Sequence, residues 1–168
     1  MLSPSWANIP VKARPVLTGR QPYLNSWASR ETQTAMILDF QCVYGQKHPV
    51  LGDVWHRFPR CLVAGGDRYD RYMCSALFMT MHSPEECAQA LEKIDLVRSE
   101  TTTEEQFGIN DTCITFSSSG VQVDILIEEE LSAADGHFKL EEFRKAICAW
   151  KEFLRTPDAE CKVQVNIA

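Results

Sequence analysis

Three observations predict an α+β fold. Two stretches repeat apolar residues at helical spacing, several shorter ones alternate with period two, and turn-forming residues separate them. In chain order the pattern reads β-β-β-α-β-β-α-β. Each helix offers one apolar stripe and each late strand one apolar face. The economical packing is an antiparallel or mixed sheet of about five to six strands, with both helices on one face. The 168 residues are 45% hydrophobic and 24% charged, which suits one domain with a core of its own.

Residues 1–33 read as a loosely ordered N-terminal extension and 34–168 as the domain. The extension holds Pro4, Pro10, Pro15 and Pro22, and sets Lys12, Arg14, Arg20 and Arg30 against the single acid Glu31. It shows no sustained period; Trp6, Tyr23 and Trp27 are its candidates for contact with the domain. From Ala35 to Tyr44, Met36, Leu38, Phe40, Cys42 and Tyr44 alternate as one face of a first strand, and Gly45 to Pro49 reads as its turn. Residues 50–66 are ambiguous, with Val54, Trp55 and Phe58 on a possible short strand interrupted by Pro59. Gly65-Gly66-Asp67 signals a turn. The mostly apolar run Tyr69 to Met81 reads as a central strand.

The sharpest boundary is Ser83-Pro84-Glu85-Glu86, which sets an N-cap serine, a first-turn proline and a glutamate three residues after the cap. Cys87, Leu91, Ile94 and Val97 then hold one helical face to Arg98, and the polar residues 99–108 read as a loop. Cys113–Phe116 and Val121–Ile127 form a hairpin around Ser117–Gly120. A second helix runs over 139–155 on Leu140, Phe143, Ala146, Ile147, Trp150, Phe153 and Leu154, and Pro157 stops it. Cys161, Val163, Val165 and Ile167 alternate as a last, half-buried strand.

Seven cysteines, at 42, 61, 74, 87, 113, 148 and 161, are never closer than 13 residues, so there is no C-x-x-C pair for zinc or redox exchange. They read as small buried hydrophobes in a reducing compartment. No metal or cofactor is expected. Histidines 48, 56, 82 and 137 form no ligand pair at helical or knuckle spacing. Asp135-Gly136-His137-Phe138 with Glu142 imitates the end of a calcium-binding loop, but with Gly136 as its turn glycine, positions one and three fall on Leu131 and Ala133, which offer no side-chain oxygen. A turn before a helix is the simpler account. Gly65-Gly66 lacks the spacing and lysine of a phosphate loop, and no G-x-S-x-G elbow occurs. No catalytic residue is therefore assigned. No apolar run approaches the ~18 residues of a membrane span, and no apolar leader is present, so a cytoplasmic location without membrane contact is expected.

Charge is unevenly placed. Residues 1–82 carry nine Lys/Arg and five Asp/Glu, whereas 83–168 carry eight and eighteen, for a net −6. The acidic half disfavours direct binding of nucleic acid and favours a basic protein partner. Glu128, Glu129 and Glu130 with Glu104, Glu105 and Asp111 make the first candidate docking patch. Arg57, Arg60, Arg68 and Arg71, interleaved with Tyr69 and Tyr72, make the second, suited to carboxylate or phosphate groups.

The segment from Val121 through the helix with Phe143, Ala146, Trp150, Phe153 and Leu154 resembles small bacterial immunity proteins of polymorphic-toxin and contact-dependent-inhibition systems. That resemblance implies a cytoplasmic, non-enzymatic inhibitor that occludes the active site of a cognate toxin domain, expected to be basic and nuclease-like. A non-catalytic adaptor or structural subunit is the alternative, and a small enzyme with a dispersed site the third.

Overall fold

The structure, a computed structural model, describes residues 35–126 and 133–168, all within the compact unit Gln33–Ala168. The extension 1–33, with Trp6, Tyr23 and Trp27, and the glutamates 128–130 lie outside the described residues.

The fold is α+β. The chain runs β1 (Ile37–His48), β2 (Gly52–Arg60), a helix that starts with wide π-type turns at Tyr69–Cys74 and continues as α1 (Ser75–Thr80), and α2 (Pro84–Arg98). It goes on through β3 (Glu104–Ile109), β4 (Thr112–Ser117), β5 (Gly120–Ile125), a 3₁₀ turn at Ala133–Gly136, β6 (His137–Phe138), α3 (Leu140–Leu154) and β7 (Cys161–Asn166). The described strands form two antiparallel sheets, ordered β2-β1-β7 and β3-β4-β5-β6, where one sheet was expected.

Two helices join the sheets: the first reaches β2 through Phe58–Phe78 and β6 through Tyr69–Phe138, and α3 reaches both along one stripe. At its N-terminal end Phe143 meets Phe116 of β4 and Phe138 of β6, at 6.2 and 6.0 Å between ring centroids. Two turns further on, Trp150 and Phe153 pack on Phe40 of β1, at 5.1 and 5.6 Å. Period 3.6 places these residues on one stripe, and the stripe is long enough to serve both sheets. Leu38, Phe40 and Cys42 supply the first sheet's share of the core, and Ile114, Phe116, Val121 and Val123 the second's.

Three local expectations need correction. The run Tyr69 to Met81 is helical, not a strand. Its buried residues Tyr72, Met73, Cys74, Ala76, Leu77, Thr80 and Met81 cover a broad side of a helix, too wide to show a clean period, while Phe78 and Met79 face out. Thr80 is the only β-branched residue in it, and Met, Ala and Leu all favour helix. The loop expected over 99–108 contains β3, a short, charged edge strand. The turn expected at Gly45–Pro49 lies later, because β1 continues to His48. Gly45 instead makes a bulge between the pairs Tyr44–Trp55 and Gln46–Val54. A Cβ at Gly45 would lie 2.3 Å from the His56 ring, so only glycine lets that imidazole lie against the strand.

The helix start at Ser83 forms as its residues dictate. The Glu86 N–H donates to Ser83 Oγ at 3.2 Å, and Glu86 Oε2 accepts from the Ser83 N–H at 3.0 Å, a complete capping box with Pro84 in the first turn. Ser83→Ala keeps half of this exchange and is expected to cost about 1 kcal/mol, seen as a lower urea midpoint with unchanged slope. The β4–β5 hairpin also forms where the sequence places it, with Gly120 at φ +139 closing the turn. Asp135-Gly136 is indeed a turn before a helix. Gly136 is required there because a Cβ would meet the Val123 carbonyl at 2.2 Å.

Candidate functional site

Of the acidic candidates, the described ones, Glu104, Glu105 and Asp111, do not share a face. Glu104 and Glu105 are consecutive on β3, so their side chains point to opposite sides of the sheet. Glu104 is exposed, whereas Glu105 turns inward and accepts from Lys93 Nζ of α2 at 2.9 Å. Asp111 sits in the β3–β4 turn, where its carbonyl accepts from the Leu126 N–H at 2.8 Å. Among the described residues these three make no patch, and Glu105 ties a helix to a strand.

The Lys93 hydrogen bond and charge hold the Glu105 carboxyl below its ordinary value of 4.5, against the raising effect of burial. A depressed folded value means that the stabilisation is present above the ordinary glutamate range and is lost as pH falls through the folded value. Glu105→Gln should therefore lower the melting temperature at pH 7. The difference from the wild type should shrink as pH falls below the ordinary glutamate range and through the lowered Glu105 value, and thermal scans at decreasing pH check the convergence.

The arginines divide in two. Arg68 lies over the rings of Phe138 and Tyr69, at 4.6 and 5.1 Å, and donates to the His137 carbonyl, so its charge cements the first helix to β6. Arg71 lines a cavity with Asp67 and Leu62, and Arg60 and Asp70 form the wall it shares with the hollow beside Phe78. Arg57 and Arg60 instead flank a face built by β2 and α1. Arg57 reaches Asp158 at 2.9 Å and the Thr156 carbonyl at 2.6 Å, just past α3. Arg60 meets Asp70 at 3.1 Å, and the same carboxylate oxygen accepts from the Cys61 N–H at 2.8 Å, fixing the helix start to the end of β2.

Arg57 pairs with Cys42 and so leaves β2 on its core side, whereas His56, Phe58 and Arg60 alternate on the other, from which a stack of rings leads to α1. His56 stacks on Phe58 at 5.9 Å, and Phe58 on Phe78 of α1 at 5.8 Å. Phe78 separates two open hollows. One, about 290 Å³, is lined by Phe58, Pro59, Arg60, Asp70, Cys74, Ser75 and Phe78. The other, about 260 Å³, is lined by Trp55, His56, Arg57, Phe78, Met81, His82, Trp150 and Leu154. Phe78 and Met79 remain 43% and 45% exposed, and Tyr44, edge-on to Trp55, is exposed on the β1–β2 hairpin. The tip of that hairpin also presents Val50 and Leu51, whose N–H groups both donate to His48 Nδ1.

Sequence reasoning found the two arginines and missed the rings. Phe78 and Met79 lie in the segment read as a buried strand, and only its helical winding turns them outward. The helix-forming composition of 69–81 was the signal that could have exposed them.

Reactive thiols are not built at the buried cysteines. Burial pushes the Cys87 thiol up to about 12 and raises those of Cys61 and Cys74, which disfavours the nucleophilic thiolate. Among the described residues no three His, Cys, Asp or Glu side chains converge as metal ligands, and no helix is long and apolar enough to cross a membrane. Comparison with family models, curated proteins and solved structures finds no match for the chain.

Proposed function

We propose that this chain is a non-catalytic protein-binding domain that docks its partner on the β2–α1 face. The observation that carries this reading is the ring stack His56–Phe58–Phe78, whose exposed Phe78 lines two hollows, one holding Arg60 and the other Arg57. Aromatic residues, methionine and arginine are the types enriched where protein interfaces bury surface, and the hollows on either side of Phe78 can admit side chains. Single apolar residues on a surface need no explanation. Here Phe78 lines two concavities, and each of them also holds one arginine.

A toxin-neutralising immunity role is the finer proposal. Its support is the resemblance of the 121–154 segment and the acidic excess of residues 83–168. In that role the domain covers a toxin domain's active site and performs no chemistry of its own. The experiment is affinity capture with the full chain, followed by binding measurements on the captured protein with two sets of variants. Loss of binding in Phe78→Asp supports the β2–α1 face. Loss instead in Glu128→Lys with Glu130→Lys, or in Glu104→Lys with Asp111→Lys, transfers the docking to the acidic residues. Growth inhibition by the captured protein, relieved on co-expression of this chain, distinguishes an immunity protein from an adaptor.

A further inference from the structure

Cys42 and Cys161, far apart in the chain, are direct partners in the antiparallel ladder of β1 and β7. Residues directly opposite in such a ladder point to the same face, with Cα atoms about 4.5 or 5.5 Å apart depending on the pair type. Both spacings fall inside the roughly 4.4–6.8 Å that a disulfide spans. Both side chains belong to the core side of the sheet: Cys42 is 1% exposed, and Cys161 packs half-buried against the core. On the opposite face, Asp39 of β1 accepts from Gln164 Nε2 at 2.8 Å and from Lys162 Nζ at 3.2 Å. Those contacts hold β7 in the register that sets the two cysteines side by side. Both are free thiols.

We propose that Cys42 and Cys161 form an oxidisable dithiol, a modification site at which a small-molecule disulfide closes a cross-strand bond between β1 and β7. Half-buried Cys161 is the entry point, because Cys42 is sealed from reagents. The Cys161 thiolate attacks one sulfur of the small disulfide, the S–S bond of that reagent breaks, and one thiolate leaves and takes up a proton. Cys42, giving its proton to solvent, then attacks the Cys161 sulfur, and the second small thiol departs and is protonated in turn. The protein loses two electrons and two protons, and the reagent gains both. The product joins the C-terminal strand covalently to the central strand of its sheet, closing a long loop of chain.

Neighbouring cysteines elsewhere make the proposal discriminating. Cys61 adds to the rise of the Cys74 thiol that burial causes, but both are buried and offer a reagent no entry. Cys148, half-buried on α3, acts in the same way on the buried Cys87 of α2, with no ladder to align the two.

The test is incubation of the full chain with oxidised glutathione, alkylation of the remaining thiols, and peptide mass mapping. The wild type should show a Cys42–Cys161 linkage, no glutathione retained on Cys161, and a melting temperature raised by several degrees that reductant reverses. Cys42→Ser should trap glutathione on Cys161, and Cys161→Ser should leave Cys42 unmodified. A Cys87–Cys148 linkage in place of the cross-strand one, or glutathione retained on Cys161 of the wild type, overturns the proposal.

Discussion

Replacing Trp150 by alanine should lower the stability by about 3–5 kcal/mol, the largest effect expected of any single change in the core. Trp150 is 2% exposed and lies edge-on to Phe40, stacked with Phe153, where α3 meets the β2-β1-β7 sheet. Its indole N–H also donates to the Met81 carbonyl at 2.8 Å, tying α3 to the chain just after α1. Truncation thus removes the transfer energy of a large ring, opens a cavity and strands a buried acceptor. For a domain of this size the melting temperature should fall on the order of 10 °C. Trp150→Phe separates the contributions. It keeps much of the packing but leaves the Met81 carbonyl without its donor, at about 1–3 kcal/mol. Urea denaturation of both variants supplies the comparison, and a loss under 1 kcal/mol in the alanine variant would show that α3 does not hold the sheet. Trp150 also lines the hollow beside Phe78, so the alanine variant should deepen that hollow and change partner binding as well.

Phe78→Asp should do the reverse, leaving the fold nearly intact while abolishing partner capture. Phe78 is only half enclosed, so its loss should cost about 1 kcal/mol or less of stability, as for most surface changes. As the ring between two hollows it has the position of an interface anchor, where truncation commonly costs 2 kcal/mol or more. At 1.4 kcal/mol per tenfold, that is a weakening of about 30-fold or greater. A carboxylate also enters an aromatic stack and takes up the adjacent Arg57 or Arg60, which the partner then loses. Calorimetric titration of the captured partner against wild type and variant gives the ratio, and thermal melts of the two proteins confirm that the fold survives. Binding within threefold of wild type would remove Phe78 from the interface.

Elements whose signal is local were legible from the sequence. The capping box of α2, the apolar stripe of α3, the β4–β5 hairpin and the alternation in β1 are set by residues within a turn or a strand of one another. The α+β class followed from their order. Residues 69–81 defeated the same reasoning because a run that is apolar on several sides has no clear period, and a buried strand and a buried helix then look alike. Misreading it hid Phe78, and with it the face that Arg57 and Arg60 flank.

Other features were decided only by tertiary structure, because their partners lie far apart in the chain. The packing of the two sheets depends on two helices that each touch both: α3 presents Phe143 to one and Trp150 to the other, and the first helix presents Phe78 and Tyr69. The dispersal of Glu104 and Glu105 depends on β3 forming an edge, where period two sends neighbours to opposite faces. The pairing of Cys42 with Cys161 depends on the register of β7 against β1, which Asp39, Lys162 and Gln164 secure from the other side of the sheet. Local sequence sets which residues can wind or extend. Which distant side chains then meet is set by how the buried stripes pack together, and spacing along the chain carries no record of that.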